Sequence, residues 1–257
     1  MGIFRFLYRN IYYYFVVYLG EGMIILLIEL FTDGSSVTND KVKASAAAYA
    51  IYIQDRLIKN GTEFYQNGTN NLAESSAILI GLDRINKLIR KVDKKYINLP
   101  VTIHVYSDSL ITVESCRNWI YKWVKKYRNG ILLNAHGQEV ANQDIFKKIY
   151  NKYLTNDMYS IKFFHINSHK IDHHLYLKYF DYISEYFQNR HKKKKLKLDI
   201  PNELFTNDKF RKAKNKFENV NKISIEDEEL LRLLIYNKYV DKLAGECLDE
   251  GLSELAV

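Results

Sequence analysis

Four acids stand where chemistry could be done. Asp33 follows an apolar run in FTDGS, Asp108 closes VTIHVYSD, Glu74 lies in the first turn of a helical stretch, and Asp241 sits late in the last one. Two acids at strand ends and two on helices could converge at one edge of a sheet, where carboxylates repel one another unless cations lie among them. Oxygen donors without cysteine partners favour magnesium or manganese over zinc, and two such ions can activate a water and stabilise the leaving oxygen of a phosphodiester. Spacing alone does not establish such a site, because a chain with 30 acidic residues offers many accidental quartets.

The elements that must position these acids follow from hydrophobic period. From Met23 to Asp33 the chain is apolar and β-rich, and reads as a buried strand that turns at Thr-Asp-Gly-Ser, with Asp33 at its end. Residues 44–53 and about 58–66 predict two further strands in an antiparallel hairpin. Residues 72–91 carry Leu72, Leu79, Leu82, Ile85 and Ile89 at helical spacing. Pro100 opens a strand with Val101, Ile103 and Val105 on one face. Residues 109–128 read as a helix or helix pair with Trp119 and Trp123 four apart and Lys122, Lys125, Lys126 and Arg128 on neighbouring positions. A helix over 141–154 and a strand over 160–166 follow.

From Asp172 to about Val220 the character changes: an aromatic-rich helical stretch, the run HKKKKLK, then a polar segment around Pro201. We read this as an insertion. A long helix resumes from Ser224, with Ser224 and Asp227 in capping-box-like spacing.

The bulk numbers agree with one main domain. In 257 residues, 47% are hydrophobic and 14% aromatic, enough for one substantial core with an appended subdomain. A formal charge of +8 points to a polyanionic partner, nucleic acid before an anionic membrane. Cys116 and Cys247 form no metal-binding pattern and fit a reduced, intracellular setting. Arg5 and Arg9 precede an apolar run from Ile11 to Leu19, which mimics a signal or anchor segment but falls short of the roughly 20 residues needed to span a bilayer. Residues 1–22 are therefore read as an apolar extension, and 23–250 as the domain.

Five blocks, in order, resemble type 1 ribonuclease H: FTDGS at 31–35, TNNLAE at 69–74, YSDS at 106–109, FFHINSHK at 163–170 and NKYVDKLA at 237–244. NWIYKWVKK at 118–126 is similar to that family's tryptophan-and-lysine hybrid-binding helix. The resemblance implies an α/β ribonuclease H-like fold, a five-stranded mixed sheet flanked by helices, here with a helical, basic insertion at about 172–223. It implies an endonuclease that hydrolyses the RNA strand of RNA–DNA hybrids, with two Mg2+ ions (Mn2+ as substitute) held by Asp33, Glu74, Asp108 and Asp241. Asp33 would touch both ions. His169 matches a loop histidine that assists proton handling or product release. Thr69 matches a DNA-phosphate contact, and Asn70 and Asn71 a pair that touches the minor groove of the hybrid. Trp119, Lys122, Trp123, Lys125 and Lys126 complete the expected nucleic-acid surface. A monomer without a small-molecule cofactor or membrane contact is expected.

The departures are specific. SVTNDK follows Asp33-Gly34-Ser35 where the family has a glycine-containing turn, and Ser168 stands where a glycine often precedes the loop histidine. Asp241 comes 72 residues after His169 rather than about ten, so the segment from Asp172 to Val220 must loop out, at a closure cost that grows only logarithmically with length. Asp172 is the alternative last acid. At helical spacing, tryptophans such as Trp119 and Trp123 are more often core than ligand-facing. Two other functions stay open: a binding module of the same fold without turnover, and a same-fold nuclease acting on another nucleic acid.

Overall fold

A computed structural model of the chain describes residues 27–91, 101–167, 182, 185, 186 and 205–255. Its elements are β1 (Leu27–Thr38), β2 (Lys43–Ile53), β3 (Arg56–Gln66), α1 (Asn70–Ile89), β4 (Val101–Ser107), α2 (Leu110–Glu114), a π-helical turn (Ser115–Trp119), α3 (Ile120–Lys125), α4 (Gln143–Ile149) with a second π-helical turn (Tyr150–Leu154), β5 (Tyr159–His165), α5 (Asp208–Asn221) and α6 (Asp227–Leu255). The sheet order is β3-β2-β1-β4-β5. The first three strands are antiparallel neighbours, and β4 and β5 run parallel to β1. This is the mixed five-stranded sheet expected from the sequence.

Alternation along β1 divides the core in two. Ile28 and Leu30 pack with Ile78, Leu82 and Ile85 of α1 on one face. Phe31 packs with Leu230, Leu234 and Tyr236 of α6 on the other. Each such aliphatic side chain contributes about 1.5–3 kcal/mol on burial. On the α6 face, Tyr52 and Tyr236 stack at 4.0 Å, and Phe31 meets both edge-on at 5.6 and 5.5 Å. Below them lies a buried ion cluster. Arg232 donates to both oxygens of Glu29 at 2.7 Å and to Asp55 at 3.0 Å, and also binds Glu229.

Two expectations change. β1 does not turn at Asp33 but continues to Thr38, because β2 keeps pairing with it from Asp33↔Ala48 to Thr38↔Lys43. The reversal comes at Asn39, whose side chain accepts from the Lys41 and Val42 amides at 3.0 and 2.8 Å. SVTNDK is therefore the end of a hairpin. Second, α6 begins at Asp227, and Ser224 is not its cap. Glu218 of α5 holds the Ile225 amide at 3.1 Å and so keeps that linker out of the helix. The end of the segment read as a helical, basic insertion is the helix α5. Phe210 and Phe217 of α5 are 3% and 2% exposed and join the α6-side core.

The N-terminal extension 1–22, His169, Asp172 and the lysine run at 192–195 lie outside the described residues. Among the described residues, no helix is long and apolar enough to cross a membrane.

Candidate metal centre and nucleic-acid groove

The last β1–β4 pair is Thr32↔Ser107. Asp33, inside β1, and Asp108, just past the end of β4, are the next residues along each chain, so the two acids lie side by side where β4 ends and β1 runs on. Helix α1 supplies Glu74. The close approach depends on Gly34: a Cβ there would stand 2.6 Å from the Glu74 nitrogen and 2.9 Å from the Ala73 Cβ. Carboxylate oxygens of Asp33, Glu74 and Asp108 lie within 4.8 Å of one another.

Electrostatics sets the character of this trio. Asp33 and Glu74 are each only 3% exposed. Burial, then the charges of Asp108, Glu74 and Asp241, holds the Asp33 carboxyl well above the usual carboxylate range. Burial and Asp108 do the same to Glu74. The Gly34 amide donates to Asp33 Oδ1 at 2.8 Å, and Ser107 and Asn70 hydrogen-bond the Glu74 carboxylate, which offsets part of this. Glu74 Oε2 remains buried without a partner. An orphan carboxylate oxygen among like charges, with oxygen donors only, fits a hard divalent cation.

Asp241 reaches the site differently. Its charge acts on Asp33, but its carboxylate is bound by Lys238, one turn earlier on α6. The structure thus brings together three of the four expected acids and sets the fourth beside them in an ion pair.

His165 at the end of β5 is 2% exposed, and its Nε2 lies 3.0 Å from the Asp108 carbonyl oxygen. A carbonyl only accepts, so the ring proton is on Nε2. Nδ1 is bare and has no partner. Burial, then Lys216, lowers the affinity of this imidazole for a second proton. Both this histidine and Ser107 lie inside blocks that carry the resemblance, Ser107 in YSDS and His165 in FFHINSHK, but the sequence gives neither of them a role in the site.

The expected nucleic-acid residues divide by role. Thr69 caps α1, its hydroxyl accepting from the Leu72 amide at 3.2 Å. Asn70 engages Glu74. Asn71 lines a groove of about 800 Å3 together with Trp119, Lys122, Trp123, Lys125 and Lys126, and Asn134 and His136 line it too. The two tryptophans separate here. Trp123 is 8% exposed and meets Phe146 edge-on at 5.4 Å, forming the wall, whereas Trp119 is 37% exposed. The π-helical turn ending at Trp119 is the kind of irregularity that re-aims a side chain on an otherwise regular helix.

Residues 27–174, more than half of the chain, match the family profile of RNase H. The chain belongs to the RNase H family. The matched span holds Asp33, Glu74, Asp108 and His169 and ends before Asp241. No curated protein matches this RNase H-family chain. Among solved structures, LC11-RNase H1 in complex with RNA/DNA hybrid is 17% identical, with 56% of this chain and 87% of that one covered at a TM-score of 0.39. RNase H1 from the halophilic archaeon Halobacterium salinarum NRC-1 is 14% identical over 55% of this chain and 85% of that one, with a TM-score of 0.34. The prototype foamy virus protease-reverse transcriptase is 15% identical over 56% of this chain and 18% of that one, with a TM-score of 0.43.

Proposed function

We propose that this RNase H-family chain is an endonuclease that hydrolyses the RNA strand of RNA–DNA hybrids, leaving a 5′-phosphate and a 3′-hydroxyl. The observation that carries the reading is the convergence of Asp33, Glu74 and Asp108 beside a basic, aromatic groove. Asn71 is three residues before Glu74 and Thr112 four after Asp108, and both line the groove, so it opens within about one helical turn of the acids.

Asp33, Glu74 and Asp108 would hold Mg2+, with Asp241 completing the set once Lys238 releases it. When bound, the ions supply a water of lowered pKa and charge for the leaving oxygen. The chain's own residues do the rest. Lys122, Lys125 and Lys126 neutralise backbone phosphates and set the register of the duplex. The Asn71 amide can both donate and accept, which suits a 2′-hydroxyl in the minor groove, the feature that separates RNA from DNA. Trp119 offers an exposed ring to the sugar face. Burial of Asp33 and Glu74 keeps solvent off the carboxylates that must turn towards the cations. The protein acts as a monomer, inside the cell, without a small-molecule cofactor.

The Lys238–Asp241 pair favours one second reading, a module that binds hybrid without turnover. A strand-labelled hybrid in Mg2+, beside single-stranded RNA, duplex RNA and duplex DNA, decides between them. RNA-strand cutting confined to the hybrid and lost in Asp108→Asn supports the nuclease. Hybrid retention in a gel shift with no cutting in Mg2+ or Mn2+ supports the module.

A further inference from the structure

Helix α5 lies beyond the span that matches the family, yet its last residue reaches the end of β5. Phe210, Ala213, Phe217 and Asn221 form its buried stripe at helical spacing. The phenylalanines anchor the helix on the α6-side core. Asn221 does something else. Its Oδ1 accepts from the His165 amide at 2.9 Å, and its Nδ2 donates to the His165 carbonyl at 2.8 Å and to the Phe217 carbonyl at 2.9 Å. Among the described residues β5 is an edge strand, so there the outward N–H and C=O of its last residue meet no neighbouring strand. The Asn221 amide stands in for that missing strand.

His165 carries the constraint inward. Its backbone is fixed by Asn221 on one side and by register with Ser107 of β4 on the other. Its ring then makes one hydrogen bond, Nε2–H to the Asp108 carbonyl at 3.0 Å. Asp108 is where this brace matters. It is the one member of the acid trio that is not buried, and it stands outside the strand ladder, between the end of β4 and the Ser109 cap of α2. Arg117, on the π-helical turn that follows α2, ties the same corner to α5 through the Val220 carbonyl at 3.3 Å and Asn221 Oδ1 at 3.4 Å.

We infer that Asn221 and His165 are positioning residues that hold the Asp108 main chain, and with it the Asp108 carboxylate, in the geometry the cation site requires. A helix outside the family-matched span thereby completes the metal centre. This rests on the proposed reading that Asp33, Glu74 and Asp108 bind the cation. Residues that orient metal ligands through hydrogen bonds typically cost 10–100-fold in metal affinity or activity when removed.

The test uses the full chain and reads Mn2+ affinity by isothermal titration calorimetry, hybrid cleavage as kcat and KM, and Tm in EDTA. Asn221→Leu and His165→Phe should each weaken Mn2+ binding and lower kcat by about tenfold. KM for the hybrid should stay at the parent value, and His165→Gln, which keeps a donor near Nε2, should recover most of both losses. Should Asn221→Leu fail to fold, the His165→Phe and His165→Gln pair decides. Parent-like Mn2+ affinity and kcat with only a lowered Tm would overturn the inference, leaving these residues structural. A parent chain that binds Mn2+ but does not cut hybrid would sink the substrate reading while the affinity comparison still judges the brace. A parent that binds no Mn2+ removes both.

Discussion

Gly34 and Glu74 touch backbone to backbone: a single added carbon at position 34 would come within 2.6 Å of the Glu74 nitrogen. Neither main chain can give way cheaply, since one lies in a five-stranded sheet and the other in a helix packed on it. Gly34→Ala should therefore push α1 off β1, destabilising by about 1–3 kcal/mol. It should also displace Glu74 from Asp33 and Asp108, and a shift on the order of 1 Å can cost about 100-fold in rate. Urea unfolding together with hybrid cleavage checks both halves; an Ala variant with parent rate would contradict the proposed site.

Without a cation, the acid trio works against the fold. Asp33 and Glu74 are held above the usual carboxylate range, by burial first and by neighbouring acids second. A carboxyl whose pKa is higher folded than unfolded stabilises the fold while protonated. That contribution is complete below the unfolded value of about 4 and is lost as pH rises through the raised folded value. In EDTA the Tm should fall across that window, and Asp33→Asn should raise the Tm at neutral pH while abolishing cleavage. A Tm unchanged or lowered by Asp33→Asn would refute the electrostatic account.

The Arg232 side chain is 4% exposed, against 7% for Glu29 and 2% for Asp55. Arg232→Met fills similar space but leaves two buried acids without their cation, which costs about 3–5 kcal/mol. Denaturant unfolding measures it directly. A loss under 1 kcal/mol, given as an order of magnitude by surface ion pairs, would mean that water reaches the cluster.

Lys238 competes with the cations for Asp241. The pair is only partly buried, so it is weak and readily broken. Lys238→Gln should lower the Mg2+ concentration needed for half-maximal cleavage by a factor of about two to five, consistent with the modest worth of such pairs. A raised requirement would show that Lys238 instead serves the substrate.

The two tryptophans should fail differently. Trp123→Ala removes a groove wall packed on Phe146 and should cost about 3–5 kcal/mol of stability. Trp119→Ala should leave Tm near the parent value and raise KM for the hybrid, because 37% of Trp119 faces solvent. Equal effects on stability would assign both rings to the core.

What the sequence determined by itself is local or periodic. Alternation in VTIHVYSD, helical spacing from Leu72 to Ile89, and the short blocks around Asp33, Glu74 and Asp108 act over a few residues, so they could be read without knowing what packs on what. The types of the five strands and of α1, α4 and α6, and the identities of the three clustered acids, were legible for that reason, whereas α5 was not. Tertiary structure decided the rest. β1 runs past Asp33 only because β2 is there to pair with it, and the charge of Asp241 reaches Asp33 only because α6 packs on the sheet. Trp119 and Trp123, alike in sequence, divide into surface and core by what packs on each, since Phe146 covers Trp123 while Trp119 faces solvent. Asn221 and His165 are 56 residues apart and no local pattern couples them, yet their hydrogen bonds form because α5 buries Phe210 and Phe217 in the α6-side core. Burial energy brings such distant pairs together, and it depends on the whole packed shape rather than on any window of the chain.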